Sequence, residues 1–208
     1  MSWVFLWGNT MTIQLAIING IAVNQDGDGR VHWESKASID ADGGNGQNGN
    51  PFSYREDDQG LDALGNAGWP NSWHGVLIDH GNGTPMSDGN GNLYSQTTYA
   101  WKGRPIPTRY VDATAVPYIV VNPIVRQKAT GVVIGCRGRI TYNGISIDAV
   151  VADVSGKHDI GELSMQAAAM LNIPSSPRHG GVAAGVLFEF WPGSAAVLAG
   201  EIYELKPA

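Results

Sequence analysis

The sequence has little cysteine and little charge. Of its 208 residues only Cys136 is a cysteine, which excludes an internal disulfide framework and a cysteine-based zinc site. That residue lies in an apolar stretch, V-V-I-G-C-R-G-R, which is typical of a buried structural thiol. Charged residues make up 15%, and the formal net charge is −6. This balance disfavours nucleic acid as a partner and favours a neutral or cationic one.

The N-terminus lacks basic residues. No Lys or Arg precedes Arg30, so the chain does not open with the basic region of a secretory signal peptide. Gly8-Asn9-Thr10 interrupts the apolar residues, and the remaining runs are too short to span a membrane. We therefore expect residues 1–23 to form an extension and a first strand near residues 12–18, without membrane contact.

The residues that are abundant predict a loop-rich β protein. Glycine (28), proline (11), 43% apolar residues and seven Trp exclude disorder and favour strands joined by long loops. The length suits one domain with a sizeable core, which we place at residues 24–208. Strands are expected near residues 76–79, 93–101, 116–122, 132–134, 138–141, 185–191 and 197–205, with Asn143-Gly144 as a hairpin turn. Residues 60–65 are expected to form a short helical turn.

Residues 24–50 read as a long loop that is rich in glycine and acid. Its two D-x-D-G pieces, at Asp26 and Asp28 and at Asp40 and Asp42, resemble the start of a calcium loop but lack the remaining ligands. Asx-turns are the favoured explanation, and we predict no metal and no cofactor. Whether these pieces bind calcium stays open.

One stretch, residues 147–173, combines a strand, a polar loop and a helix. Side chains alternate along a strand, so Asp153 is expected to share a face with Ile147, Ala149 and Val151. Glu162 follows nine residues later, where the helix is expected to begin. Two carboxylates that face each other across a groove are the minimum equipment for glycoside hydrolysis. The alternative is structural: Asp153 caps the turn and the helix dipole favours Glu162.

Several other side chains are candidates for contact with a sugar. An indole face matches the apolar face of a pyranose, although a Trp in the core is an equal alternative. Acidic residues (Asp40, Asp42, Glu56, Asp57 and Asp58) would attract a cationic polymer, or would form a solvated loop. The candidate substrate-binding residues are Tyr54, Trp73, His74, Tyr118, Lys157, His158 and Arg178. For Arg178, fixing a loop is an equal alternative.

Five motifs occur in one order between about residues 26 and 193. They are I-D-A-D-G near Ile39, G-L-D-A-L-G-N-A-G-W-P near Gly60, R-Y-V-D-A-T-A-V-P-Y-I-V-V near Arg109, A-D-V-S-G-K-H-D-I-G-E-L-S and P-R-H-G-G. This series resembles the fungal-type chitosanases of glycoside hydrolase family 75 and their bacterial relatives. The resemblance implies hydrolysis within chitosan chains, with inversion, by the carboxyl groups of Asp153 and Glu162. The chain departs from the family, which often has D-V-G-P and G-E-G-S, at Ser155-Gly156 and at Leu163.

The strand–loop–helix also resembles the D-x-x…D-L-S signature of double-psi β-barrels, found in expansins, some endoglucanases and some lytic transglycosylases. We therefore expect a mainly β protein with a few short helices, built on a six-stranded double-psi β-barrel-like core with long loops. By analogy with those barrels, Glu162 is expected to be the general acid and Asp153 the general base. The expected partner is an amino-sugar polymer, bound by a monomer that acts outside the cell by an unknown route of export or lysis.

Two other functions stay open at this point. The same fold and carboxylates suit a peptidoglycan-cleaving lytic enzyme, namely a muramidase, a lytic transglycosylase or a phage endolysin. The changes at Ser155 and Leu163 also suit a non-catalytic carbohydrate-binding module, although such a module has no need for the carboxylate pair.

Overall fold

The structure, a computed structural model, describes residues 11–207. The expected extension before residue 11 therefore lies outside the described residues. The strands in chain order are β1 (Ile13–Ile18), β2 (Ile21–Gln25), β3 (Val31–Asp40), β4 (Tyr54–Arg55), β5 (Asn92–Leu93), β6 (Tyr118–Val121), β7 (Cys136–Tyr142), β8 (Ile145–Val154), β9 (Glu162–Ser164), β10 (Val182–Leu198) and β11 (Glu201–Tyr203). The helices are α1 (Pro123–Lys128) and α2 (Met165–Met170), with single 3₁₀ turns at Gln47–Gly49 and Trp73–Gly75. No helix among residues 11–207 is long and apolar enough to cross a membrane.

Six strands close into a mixed β-barrel. Their order is β3-β9-β6-β8-β7-β10, and β10 pairs with β3 to complete the ring. The pairings β3–β9 and β6–β8 are parallel, and the other four are antiparallel. The hairpin of β1 and β2 continues the sheet beyond β3, and β11 pairs with β10. The expectation of a mainly β protein with a barrel core and few short helices is confirmed.

The barrel interior is filled by apolar side chains from every strand. Trp33 on β3 stacks on its cross-strand partner Phe188, with ring centroids 5.0 Å apart. Ile140 pairs with the same Phe188 from the other side, and Leu163 pairs with Ile119. These side chains are fully or almost fully buried, and apolar burial of this kind is the main favourable contribution to folding.

β3 is the longest of the strands that the sequence prediction missed. Residues 24–50 were expected to be a loop, but residues 31–39 alternate between buried (Val31, Trp33) and more exposed (Glu34, Lys36) side chains. That alternation is the pattern of a strand with one buried face. Glycine-rich segments at residues 27–29 and 43–49 flank this strand, and their composition led to the prediction of one continuous loop. The prediction was therefore wrong for this stretch.

A long excursion, residues 41–117, leaves the barrel after β3 and returns at β6. It has a small core of its own, made of Tyr54, Leu64, Ala67, Trp73, Leu77 and Leu93. The strands predicted at residues 76–79 and 93–101 are reduced there to β5 and isolated bridges, and residues 60–65 form turns rather than a helix. Residues 132–134 also form only a bridge, between Ile134 and Lys206. The excursion matters because it covers the outer wall of the barrel where the acidic residues lie.

The hairpin of β7 and β8 is as predicted. Asn143 and Gly144 have φ values of 47° and 79°, and two successive residues of positive φ are typical of a tight hairpin turn. The turn fixes the register that pairs Tyr142 with Ile145 and Arg137 with Val150.

Candidate active site

A bulge in β8 sets the direction of Asp153. Ile119 of β6 pairs with Val151, but its neighbour Val120 pairs with Asp153, so that Ala152 is an extra residue. Neighbouring residues on β6 point to opposite faces, and Asp153 therefore points away from the barrel interior that Val151 faces. The expectation that Asp153 continues the face of Val151 is wrong. The physical reason is the bulge, a device that redirects a side chain at the cost of one unpaired residue.

Glu162 opens a strand rather than a helix. It is the first residue of β9, and α2 begins only at Met165 with Ser164 as its N-cap. On β9 it pairs with Ser38 of β3 on one side and with Val120 of β6 on the other. The expected position at a helix start is therefore wrong, because residues 162–164 form backbone pairings with β3 and β6 and are held as a strand.

These pairings align four side chains across the outer wall of the barrel. Ser38, Glu162, Val120 and Asp153 occupy the same register on β3, β9, β6 and β8, and paired residues point to the same side of a sheet. Strands lie about 4.8 Å apart, so the backbones at Glu162 and Asp153 are separated by about 10 Å. Val120 lies between them and keeps the carboxyl groups apart.

The two carboxyl groups face one cavity of about 330 Å³ between the barrel wall, the excursion and two loops. Its acidic lining residues are Asp40, Asp42, Asp62, Asp153, Asp159 and Glu162. No Lys, Arg or His is among the described residues that line it. The cavity is therefore strongly acidic, and it favours a cationic ligand.

Asp153 is held by hydrogen bonds to a single oxygen. Its Oδ1 accepts from the backbone N–H of Thr98 (2.9 Å), from Oγ1 of Thr98 (2.8 Å) and from the N–H of Val154 (2.7 Å). Burial raises the pKa of Asp153 to about 6, and the bonds from Thr98 and Val154 oppose that rise. Oδ2 has no hydrogen-bond partner among the described residues, and Asp153 lines the cavity. This oxygen can therefore accept a proton from a group in the cavity.

Glu162 has a different environment. Its carboxyl group makes no hydrogen bond with the described residues, and burial raises its pKa to about 7, with Asp153 and Asp159 adding to the rise and Lys36 opposing it. A carboxyl group that is desolvated beside other carboxylates is kept protonated near neutral pH. The two groups thus differ in the way that a proton donor and a proton acceptor must differ.

Asp40 and Asp42 are two further acidic residues of the cavity, close to Asp153. Oδ1 of Asp40 accepts from the N–H of Asp42 (2.8 Å), which is the expected Asx-turn, and Oδ2 accepts from the hydroxyl of Tyr118 (2.9 Å). Oδ1 of Asp42 accepts from the hydroxyl of Tyr54 (2.9 Å), which lies 3.3 Å from Oδ2 of Asp62. Burial, followed by repulsion from neighbouring carboxylates, raises the pKa of Asp40 and Asp42.

Carboxylate oxygens of Asp40, Asp42 and Asp153 lie within 4.8 Å of one another. Oxygen ligands of this kind suit a hard cation such as Ca²⁺ or Mg²⁺. Protonation relieves the same repulsion, in agreement with the raised pKa values. Among residues 11–207, Asp40, Asp42 and Asp153 form the one group of three or more possible ligands that lie close enough together to hold a metal ion.

Of the predicted sugar-binding residues, Tyr54 lines the cavity but is almost fully buried, and Tyr118, Trp73 and His74 are not among its lining residues. Tyr118 is fully buried and Tyr54 is 2% exposed, so their contribution is to hold Asp40 and Asp42 by their hydroxyls. Trp73 is also buried, in the small core, where it stacks on the exposed His74 with centroids 3.8 Å apart. These placements favour the core alternative for Trp73.

Lys157, His158 and Arg178 lie on the two loops that border the cavity. Lys157 and His158 are exposed, between the lining residues Gly156 and Asp159. Arg178 donates to the backbone carbonyls of Asp58 (2.6 Å), Gly60 (3.2 Å) and Asp62 (2.8 Å). This places Arg178 as the residue that fixes the loop carrying Asp62, the alternative that the sequence left open.

Sequence reasoning missed Asp62, Thr98 and Val120. Asp62 lies in the motif G-L-D-A-L-G-N, so the resemblance of that motif was a signal, but its position in the cavity depends on Arg178 and Tyr54. Thr98 and Val120 carried no signal, because their roles come from pairings between residues far apart in the chain.

Comparisons with known proteins show no family. No protein-family model matches the sequence, and no curated protein matches it either. Among solved structures, the Streptomyces papain inhibitor is similar, at 23% identity over 46% of this chain and 89% of the inhibitor. Its TM-score is 0.29, so this likeness carries no argument.

Proposed function

We propose that the protein is an endo-acting glycoside hydrolase that cleaves β-1,4-linked glucosamine polymer, chitosan, with inversion. The observation that carries the proposal is the placement of Asp153 and Glu162 on one face, two strands apart, in an acidic cavity. An inverting enzyme needs its two carboxyl groups roughly 6.5–9.5 Å apart to admit a water molecule. A backbone separation of about 10 Å with parallel side chains is compatible with that range.

The roles follow from the two environments. Glu162, with a pKa of about 7 and no hydrogen bond to the described residues, is the general acid that protonates the leaving oxygen. Asp153, with three donors on Oδ1 and a free Oδ2, is the general base that takes a proton from water. In inversion, water attacks the anomeric carbon as the glycosidic bond breaks, and each carboxyl group handles one proton.

The lining of the cavity favours chitosan over peptidoglycan. Glucosamine units carry ammonium groups, and a cavity lined by six acidic residues without a basic one attracts them. We propose further that the barrel has the double-psi arrangement, as the resemblance implies, and that the protein acts as a monomer on an extracellular polymer. The parallel pairings β3–β9 and β6–β8 within a closed six-stranded ring support this fold assignment.

The test is the release of reducing ends from partly acetylated chitosan and from purified peptidoglycan, in parallel. We expect release from chitosan by the parent protein and a loss of roughly 10²–10⁴-fold in Glu162→Gln and in Asp153→Asn, since each variant lacks one proton-transfer group. Asp148→Asn, at a carboxylate that is 72% exposed on the far hairpin, is the matched control and should keep full activity. Release from peptidoglycan alone would move the function to cell-wall lysis, and no release from either would favour a binding module.

A further inference from the structure

The loop between β8 and β9, residues 155–161, borders the cavity and is held by its own backbone carbonyls. Nδ2 of Asn122, a side chain that is 1% exposed, donates to the carbonyls of Lys157 (3.0 Å) and Asp159 (2.8 Å). Oγ of Ser155 donates to the same carbonyl of Asp159 (3.1 Å). Because a buried amide loses these partners if the loop opens, the bonds favour one conformation of the loop.

Asp159 is the acidic residue that this loop presents to the cavity. It lines the cavity and is exposed, and its side chain makes no hydrogen bond and no ion pair with the described residues. Its position depends on Gly156, since a Cβ atom there would lie 2.7 Å from Oδ2 of Asp159. Burial is the main cause that raises the pKa of Glu162, and the charges of Asp153 and Asp159 add to the rise. The free carboxylate therefore lies near the proposed general acid.

Exposure separates Asp159 from the other acidic residues of the cavity. The remaining five are buried or half-buried: Asp40, Asp42, Asp62, Asp153 and Glu162. A carboxylate that keeps its contact with water is not penalised for being ionised, so it carries its charge when a ligand arrives. The neighbouring Lys157 is exposed and is not among the lining residues. Asp159 is therefore the acidic group best placed to receive a cation at the border of the cavity.

We propose that Asp159 is a specificity residue, whose carboxylate accepts a hydrogen bond from the ammonium group of a glucosamine unit bound beside Glu162. The choice of glucosamine as the unit rests on the proposed function. An ammonium–carboxylate contact is a charge-assisted hydrogen bond, whereas an N-acetylated unit brings no charge to the same place. The hydrogen bonds of the loop hold the backbone of Asp159 before the ligand binds, which lowers the entropy cost of the contact.

The experiment measures, by isothermal titration calorimetry, the binding of the β-1,4-linked glucosamine tetramer to the full chain carrying Glu162→Gln. This background prevents turnover and removes the effect of Asp159 on the ionisation of Glu162. Adding Asp159→Asn should weaken binding roughly three- to tenfold, the size expected for a contact with a charged group at a partly exposed site. The difference should shrink as the salt concentration rises. The affinity for the neutral, fully N-acetylated tetramer should stay unchanged.

Gly156→Ala tests the position of the carboxylate without removing its charge. The added Cβ displaces the flexible end of the Asp159 side chain, while the hydrogen bonds to the carbonyls of the loop remain. This variant should weaken binding of the glucosamine tetramer as Asp159→Asn does, and the two changes together should weaken it no further. Gly65→Ala is the matched control, because Gly65 also lacks a positive φ and has open space at its Cβ position. It should bind as the parent does.

The outcomes separate this inference from the proposed function. Unchanged binding of the glucosamine tetramer in Asp159→Asn, or an equal loss for the charged and the neutral tetramer, would overturn the ammonium contact and leave the proposed function standing. Additive losses in Gly156→Ala and Asp159→Asn would overturn the placement of the carboxylate by the loop. A selective loss in Asp159→Asn, from a chain that hydrolyses no chitosan when Glu162 is intact, would overturn the proposed function and support the contact.

Discussion

At the scale of single residues, the difference between Asp153 and Glu162 lies in their hydrogen bonds. Three donors converge on one oxygen of Asp153, whereas Glu162 has none among the described residues. Hydrogen bonds to the charged form lower a carboxyl pKa, and burial without them raises it. The geometry therefore orders the two groups, with Asp153 ionising at lower pH than Glu162.

This order predicts a bell-shaped pH dependence of kcat/KM and its response to one mutation. The rate should fall below pH of about 6, where Asp153 is protonated, and above about 7, where Glu162 ionises. Thr98→Val removes the Oγ1 donor of Asp153 and should move the acidic limb up by about one pH unit, because a bond to a charged group is worth about 1.5 kcal/mol. The basic limb should stay in place.

The matched control for Thr98→Val is Thr141→Val, whose hydroxyl bonds to Ser146 on the exposed hairpin. It should leave both limbs unchanged. An acidic limb that moves downward in Thr98→Val, or a basic limb that moves instead, would contradict the assignment of Asp153 as the base.

At the scale of elements, the joint between β3 and β9 depends on Gly161. Its φ is +80°, and a Cβ there would collide with Oγ of Ser35 and the carbonyl of Lys36. Its own carbonyl accepts from the N–H (2.9 Å) and Oγ (3.1 Å) of Ser38. The glycine is thus what allows Glu162 to enter the parallel pairing with Ser38.

Gly161→Ala should therefore lower the free energy of unfolding by more than the left-handed backbone alone accounts for. Gly200→Ala is the control, because Gly200 has φ of +83° but open space around its Cβ position. We expect about 1–2 kcal/mol for Gly200→Ala and at least about 2 kcal/mol more for Gly161→Ala, with a loss of activity, measured by urea denaturation and reducing-end release. Equal losses in the two variants would show that the close packing around Gly161 does not contribute to the free energy of unfolding.

The elements also show how far the sequence predicts this molecule. The β7–β8 hairpin is predictable because Asn143-Gly144 specifies its turn locally. The pair of Asp153 and Glu162 was predicted from the strand alternation, the nine-residue spacing and the resemblance, but the bulge at Ala152 and the pairing of Glu162 with β6 were not. Both are set by pairings between distant strands, which leave no local pattern. The same holds for Tyr118, whose burial depends on the return of the excursion.

At the scale of the whole molecule, the cavity holds carboxyl groups that burial and mutual repulsion make costly to ionise. The folded-state pKa of Asp153 (about 6, against 3.8) and of Glu162 (about 7, against 4.5) is raised, as it is for Asp40 and Asp42. The folded state therefore binds more protons than the unfolded state between about pH 4 and 7. Stability is greatest at the acidic end of this window and falls as pH rises through it.

We expect a lower Tm at pH 8 than at pH 4.5. The shift at Asp153 alone corresponds to about 3 kcal/mol, or roughly 6–12 °C in a chain of this size. Asp42→Asn should raise the Tm at pH 8, because it removes a carboxyl group that burial and neighbouring carboxylates make costly to ionise, and should change the Tm less at pH 4.5. Differential scanning calorimetry measures both, with Asp148→Asn as the exposed control. A Tm for Asp42→Asn that falls equally at the two pH values would contradict the repulsion.

The central claim is that Asp153 and Glu162 hydrolyse an amino-sugar polymer with inversion, and one spectrum tests it. Time-resolved ¹H NMR of a glucosamine hexamer mixed with the parent protein reports both cleavage and the anomer that is released first. The account predicts that the α-anomer appears first and then equilibrates with the β-anomer, with no product from Glu162→Gln. First appearance of the β-anomer would contradict inversion by this pair, and the absence of product from a folded parent protein would contradict the hydrolase itself.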